Sequence, residues 1–444
     1  MPKETKKDGF LRKLRSILDE RLIKRAIRVL DSSDEDSDDD EIDVAALRLY
    51  LASDKQRYLF RNCKYRVSKF NRFAEDLGET QQDDNLPWMT DTEFLRKYRV
   101  TKDSFKQLLK LIEGDTVFQP RMTGRHQRPV AYQLMVFLFY IGMEGTGANN
   151  TGQRVTFGVS SGVAQVYRER VTSAILGLSN KFLYWPDAKE RQKISYEINV
   201  LYNFAHCVAI ADGTLFPLAF EPETNDAPDY SGRKYGYSLS TLIVCDHKRR
   251  IRHFLAGYPG SAHDNRVFGE SQLATNPLNF FDLNQYLLGD SAFENRWFVV
   301  SSFKKLPKQE LAWMEQRFNK KLASLRIISE HCIGMLKGRF PWLRSIRMRI
   351  TPDDKSLKKI LRLIKATIVL HNILIHFGDD NIDEEWIDYD DFSDLDDWER
   401  APYEQGDVLN APIPSYGRKD ERHQQLLRYF EEHCWLRRRN NDTL

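Results

Sequence analysis

An apolar run from Cys207 to Ala211 ends on Asp212 and Gly213, and a second run, Tyr286 to Leu288, ends on Gly289 and Asp290. Short apolar runs bounded by turn residues predict strands buried on both faces. Each aspartate would then stand where a buried strand meets solvent, either as a carboxylate available for chemistry or as the first residue of a turn. Gly213 lacks a Cβ and so admits close approach by another backbone or a phosphate. A third acid, Glu330, lies in the segment Leu322 to Lys337, whose apolar positions Leu322, Leu325, Ile328, Cys332 and Met335 roughly follow helical spacing. Arg326 precedes Glu330 by one turn and Lys337 follows it by two. Glu330 reads either as an ion-pair partner of Arg326, worth under about 1 kcal/mol on a surface, or as a helix-borne carboxylate aimed at the two aspartates. Several carboxylates at one place repel one another unless divalent cations neutralise them. Oxygen ligands of this kind suit Mg²⁺ or Mn²⁺. Two such ions can activate a water or a 3′-hydroxyl and stabilise the leaving oxygen of a phosphodiester.

The elements that must position these acids change character along the chain. From Asp91 to about Leu178 the pattern is helical, with Thr101 capping a helix through Ile112 and an apolar helix over Val130 to Gly142. A turn at Phe157-Gly158-Val159, followed by a helix capped by Ser160, predicts a helix-turn-helix exposing Ser161, Gln165, Arg168 and Arg170, which either reads DNA or simply packs. Gly158 to Gly162 also fits G-x-S-x-G, but no long buried strand precedes it and no ordered Asp and His follow, so a nucleophile elbow is rejected. From Cys207 onward strands dominate. Tyr237 to Cys245 and Ile251 to Ala256, joined through Asp246-His247-Lys248, continue the first strand into an antiparallel meander. A helix from Asn265, the strand ending at Asp290 and then helices follow. That order is the order of a ribonuclease-H-like fold, in which the first and fourth strands are neighbours and Asp212 and Asp290 come together. The expected architecture is mixed α/β: a basic helix, acidic linker and undefined segment over 1–90, an all-α helix-turn-helix-like domain over 91–185, a ribonuclease-H-like core over 200–377, and an acidic then basic tail over 378–444.

Composition narrows the class. At 444 residues and 41% hydrophobic the chain can bury a sizeable core, and no apolar run approaches the roughly 20 residues of a membrane span. The opening residues do not read as a secretory signal. Five scattered cysteines without a C-x-x-C pair argue for a reducing compartment and against a zinc site. The net charge of +3 conceals an asymmetry. Asp31 to Asp43 holds nine acidic residues and Asp379 to Glu399 twelve, with no basic residue in either, so the remainder carries 67 basic against 43 acidic residues, a net +24. A body that basic suggests a polyanionic partner, for which the acidic runs either compete or merely serve as solvated tails. The basic N-terminal stretch over 1–30 reads as nuclear import, nucleic-acid contact or an amphipathic surface helix.

Several stretches together resemble one family. ADGTLFPL, GRKYGYSLSTLIVCD, GYPGSAHDNRVF, LLGDSAF, FNKKLASLRIISEHCIGMLKGRFPWL and VLHNIL, in this order over roughly residues 100 to 375, are similar to the Harbinger-type (PIF/Harbinger) DDE transposases and their domesticated nuclease relatives. Ala323 stands where a tyrosine often precedes the third acid, and Phe293 where a tyrosine is frequent after GDS. The resemblance implies that Asp212 and Glu330 are the first and last acids of a metal-binding catalytic set. The middle acid is Asp290, favoured because it ends the fourth strand, or Asp264, which follows the third strand and could reach the same metal as a fourth ligand. Asp246 is set aside as a hairpin residue, and His263 either orients an attacking water or is a packed or capping histidine. Arg326 and Lys337 would hold substrate phosphates. The resemblance further implies a nuclear, Mg²⁺- or Mn²⁺-dependent endonuclease or transposase acting on double-stranded DNA, a homo-oligomer on its DNA, and a separate Myb-like DNA-binding partner. Two rivals remain: a domesticated, catalytically silent DNA-binding protein, and a basic interaction protein that binds RNA or chromatin.

Overall fold

The structure is a computed structural model describing residues 89–119, 127–144, 153, 156–232, 236–304, 311–380, 424–426 and 428. The expectations for the N-terminal basic stretch, the first acidic run, most of the second and most of the basic C-terminal tail lie outside the described residues. Of the tail, Leu426 is buried in one cluster with Ile198, Leu322 and Leu325, so at that residue it is not a mere tail. Among the described residues no helix is long and apolar enough to cross a membrane.

Five strands form one mixed sheet: β1 (Cys207–Pro217), β2 (Ser238–Cys245), β3 (Ile251–Pro259), β4 (Tyr286–Leu288) and β5 (Val299–Val300), in the spatial order β3-β2-β1-β4-β5. β1 pairs antiparallel with β2 from Ile210↔Cys245 to Pro217↔Ser238, and β2 pairs antiparallel with β3. β4 joins the other edge of β1 in parallel, so the first and fourth strands are neighbours, as the order of elements predicts. Asp246 closes the β2–β3 hairpin. Its buried carboxylate accepts from the Lys248 and Arg250 amides and, at 2.8 Å, from Arg252 Nε, which gives it the structural role expected of a hairpin residue.

One correction concerns β1. The strand does not end at Asp212 but continues to Pro217, with Asp212 opposite Ile243. What ends near Asp212 is the partner on the other side: β4 is only three residues long and its last pair is Ile210↔Leu288. Beyond that pair the edge of β1 is open, and Asp212 reaches the site through that gap.

Ten helices frame the sheet within the described residues: α1 (Asp91–Tyr98), α2 (Lys102–Ile112), α3 (Val130–Ile141), α4 (Ser161–Gly177), α5 (Ser179–Phe182), α6 (Ala188–Tyr202), α7 (Asp264–Gly269), α8 (Gln272–Thr275), α9 (Trp313–Arg339) and α10 (Asp354–His376). α1 opens with a full capping box between Thr90 and Glu93, and α2 is capped by Thr101, as the sequence predicts. α3 buries every residue after Val130, as expected of a helix apolar all round. The helices before the sheet share one continuous core with it: Phe105, Leu138 and Val171 cluster with Ile243 and Ile251 of the sheet and with Ile364 and Leu370 of α10. On the sheet itself, Ile210, Leu288 and Val300 pack with Ile198 of α6 and Leu322 and Leu325 of α9. Ala211, Val244 and Leu287 pack oppositely, with Val267 and Phe268 of α7.

The start of the second acidic run belongs to this body. Asp379 is 6% exposed. Its carboxylate accepts from Arg339 Nη2 at 3.2 Å at the end of α9, and from the amide and hydroxyl of Thr101 at 3.0 and 3.1 Å at the start of α2. Arg339, 2% exposed, also donates to the Asp379 carbonyl. A solvated tail is therefore the wrong description of this residue: a buried guanidinium requires a buried anion. Replacing Asp379 with Ala should cost about 3–5 kcal/mol, because it strands the Arg339 charge. Urea denaturation would measure the loss; a shift below about 1 kcal/mol would mean that Arg339 finds water or another anion.

Candidate active site

A register shift in the β1–β4 pairing sets the aim of Asp212. Cys207 pairs with Tyr286 and Ala209 with Leu287, leaving Val208 as the extra residue. Such a bulge reverses which side chains face which layer. Cys207 and Ile210 accordingly share the α6/α9 side, while Val208, Ala209 and Ala211 share the α7 side. Asp212, in step with Ile210, faces α9: its Oδ2 lies 3.3 Å from Ser329 Oγ, a hydroxyl that also lies 2.8 Å from the Arg326 carbonyl. Its Oδ1 accepts from the Gly213 amide at 2.9 Å.

Gly213 faces the opposite layer, and the α7 N-terminus comes close there. Asp264, first residue of α7, places its carboxylate where a Gly213 Cβ would stand: that atom would lie 2.2 Å from Oδ1 and 2.3 Å from Cγ. The close approach expected at Gly213 is made by a carboxylate. Asp290 arrives from the third direction, two residues beyond the last β4 pair. Its Oδ1 accepts from the Ala292 amide at 2.9 Å and its carbonyl from the Phe293 amide at 3.2 Å, so an Asx turn fixes the loop. Phe293 is buried edge-on to Phe268, 5.5 Å between ring centroids, and a Cβ on Gly289 would strike its ring at 2.9 Å.

Asp212, Asp264 and Asp290 feel one another electrostatically. Burial, partly offset by Arg326 and reinforced by Asp290, pushes the Asp212 carboxyl up to about 6. Burial, then Asp212 and Asp290, pushes Asp264 up to about 7. Both shifts have the sign of buried carboxylates that repel one another. Glu330 is 7% exposed on α9 and pairs at 3.3 Å with Arg326, which also acts on Asp212, so the ion-pair reading of the spacing is the arrangement present. Lys337 is 5% exposed, two turns further along α9. Among the described residues no group of three or more His, Cys, Asp or Glu is arranged to hold a metal ion. As a donor set, the three aspartates offer only carboxylate oxygens, the hard ligands that Mg²⁺ and Mn²⁺ take. Chemically they fit such an ion, while the present geometry holds Glu330 against Arg326 instead of closing a shell.

Other candidates resolve differently. His263 is exposed and occupies the N-cap position of α7 without a side-chain capping bond. In the turn before α4, Gly158 takes φ +64° and Phe157 is buried, while Ser160 caps the helix through the Val163 amide. Of the four residues expected on the outer face of α4, Ser161 and Gln165 are exposed. Arg168 is not: its guanidinium lies 4.2 Å from the Tyr140 ring centroid and donates to Gln153 Oε1 at 2.6 Å, and burial lowers its pKa. Arg170 donates to Gln127. The expected exposure of Arg168 and Arg170 is corrected, because the helix turns these cations back onto aromatic and amide partners. The sequence reading missed Ser329, which links Asp212 to α9. Its signal was a small polar residue on a helical segment next to Glu330, which is too weak a cue to single out.

Residues 211–372 match the family of DDE superfamily endonucleases, a span that begins beside Asp212 and includes Asp264, Asp290 and Glu330. The chain is 25% identical over 293 residues to a Mus musculus protein named "Putative nuclease HARBI1", covering 66% of this chain and 80% of that protein. Its Homo sapiens counterpart is 24% identical over 295 residues, with the same coverage. "Protein ALP1-like" of Arabidopsis thaliana is 22% identical over 305 residues, covering 65% of this chain and 72% of that one. No solved structure matches the chain.

The contact at Gly213 can be tested by a double-mutant cycle. Gly213→Ala should destabilise by about 2 kcal/mol or more, since the new methyl must displace a carboxylate or bend β1. In the Asp264→Ala background the same change should cost about 1 kcal/mol less at minimum, a coupling read by thermal or urea unfolding. Equal costs in both backgrounds would show that the two residues do not meet.

Proposed function

With residues 211–372 matching the family of DDE superfamily endonucleases, we propose that the protein is a divalent-metal-dependent DNA endonuclease of Harbinger-transposase descent. The observation that carries this reading is the convergence of Asp212, Asp264 and Asp290 at one end of a mixed sheet whose strand order is that of a ribonuclease-H-like core. Asp212, Asp264 and Asp290 would hold Mg²⁺ or Mn²⁺, with Glu330 joining them once released from Arg326. Bound there, the ion supplies neutralisation of the cluster and polarisation of a phosphodiester. The chain's own groups do the positioning. Ser329 orients Asp212, the Asx turn orients Asp290, and Gly213 makes room for Asp264. Arg326 would exchange its Glu330 partner for a substrate phosphate, and Lys337 adds positive potential on the same helix face. The product is a hydrolysed strand or, where a 3′-hydroxyl is presented, a transferred one. Nuclear location, double-stranded DNA as substrate, assembly as a homo-oligomer on DNA and a separate Myb-like partner complete the proposal.

A second reading, a domesticated and catalytically silent DNA-binding protein, draws support from the pairing of Glu330 with Arg326. Cleavage of an end-labelled duplex in 5 mM Mg²⁺ or Mn²⁺, on the order of the millimolar concentrations at which weak oxygen-ligand sites fill, separates the two. Metal-dependent nicking that falls by about 100-fold or more in Asp212→Asn, Asp290→Asn and Glu330→Gln supports the nuclease, and the Asp264→Asn variant ranks the fourth acid. A thermal-shift series runs alongside. Mn²⁺ at a hundred times its Kd should stabilise the wild type by about 2.7 kcal/mol, and the variants by less. No nicking and no metal-induced stabilisation, with DNA ends and a Myb-like partner supplied, would hand the case to the silent reading.

A further inference from the structure

Away from the acids, α4, the N-terminal half of α10 and residues 342–348 enclose a groove of about 890 Å³. Its walls carry six cations, Arg168, Arg347, Lys355, Lys358, Lys359 and Arg362, against one acid, Glu169. None of Asp212, Asp264, Asp290 or Glu330 lines it. Lys355, Lys358, Lys359 and Arg362 are spaced i, i+3, i+4 and i+7, which places them on one face of α10, and all four are exposed. Like charges at these spacings destabilise a helix, and the acid that lines the groove with them is Glu169, 3.9 Å from Lys359. Arg347, exposed on the facing segment, lies over the Phe220 ring at 5.7 Å. At the floor, Trp342 Nε1 donates to Tyr140 Oη at 3.2 Å, and Arg168 lies on the Tyr140 ring. Four cations over two turns of α10 span about 10 Å, the length of about three base-pair steps along a strand.

We propose that this groove is a non-catalytic docking site for the phosphate backbone of duplex DNA. A fold gains nothing from like charges aligned on one helix face and mirrored across a groove, whereas a polyanion releases its counterions on meeting them. The identification of the polyanion as DNA rests on the endonuclease reading; the basic groove itself does not.

The test is fluorescence anisotropy of a labelled duplex with the full-length protein in EDTA, across a potassium chloride series. A groove variant, Arg347→Gln/Lys355→Gln/Lys359→Gln, is compared with a control variant, Lys110→Gln/Lys189→Gln/Lys193→Gln, which removes equal charge at exposed positions of α2 and α6. The groove variant should lose about tenfold or more in affinity, and its slope of log K against log salt should become shallower by about 2.7, the loss of three phosphate contacts. The control should stay within about twofold of wild type with its slope kept, since screened charges away from the contact matter little. Absence of wild-type binding, an unchanged groove variant, or equal losses in both variants would overturn the proposal. Because EDTA removes the divalent ion, a protein that binds through the groove but never cleaves would refute only the endonuclease reading. One that cleaves with an unaltered groove-variant affinity would refute only the docking site.

Discussion

Crowding anions in a partly dehydrated place is the constraint around which this structure is organised. Asp212 and Asp264 are both held where burial and neighbouring carboxylates, Asp290 for the first and Asp212 and Asp290 for the second, oppose ionisation, and no local hydrogen bond is strong enough to offset that alone. The surrounding architecture supplies the difference. β1 is paired with β2 through Asp212 and with β4 as far as Ile210, so Asp212 cannot retreat without breaking a strand whose residues Cys207 to Ala211 are buried. The aspartates then reach one another from three elements that cannot relax independently: the middle of one strand, the end of its parallel neighbour, and the first turn of a helix on the opposite layer.

Two small devices make that convergence possible. The bulge at Val208 turns Asp212 toward α9. The missing Cβ at Gly213 lets α7 bring Asp264 up against the strand from the other side. Neither contributes a reactive group, yet each determines which groups share the site. α9 carries the complementary charges, with Arg326 tempering Asp212 while engaging Glu330. One guanidinium thus serves both the helix-borne acid and a strand-borne one.

Much of this was legible in the residues. The run ending at Asp212 reads as a buried strand because it is apolar without alternation, and its neighbour ending at Asp290 reads the same way. The adjacency of those two strands follows from the order of hairpins and helices, and the need for close approach at Gly213 follows from the glycine itself. What was not legible depends on partners distant in sequence. The continuation of β1 past Asp212 is set by β2, since residues 213–217 alternate too weakly to announce a strand. Arg168 looked exposed on helical spacing because the Tyr140 ring that receives it lies on another helix. Asp379 opens a run of acids and looked like the rest of them; only Arg339 and Thr101, 40 and 278 residues away, make it a core residue. Composition marks where the charge changes, but a residue's buried partners decide whether it belongs to the core.

α9 is an unbroken helix of 27 residues, and Glu330 and Arg339 lie on it nine residues apart. An α-helix is a ruler of fixed pitch, and nine residues measure about 14 Å, or about four base-pair steps. Any ligand touching both the mid-helix acid and the structures beyond its C-terminus must bridge that interval. Inserting one residue would lengthen the interval by only about 1.5 Å while rotating everything beyond it by about 100°. The buried stripe of α9 would be lost before the spacing changed usefully. Metrology and stability are thus properties of the same helix, and the one cannot drift without destroying the other.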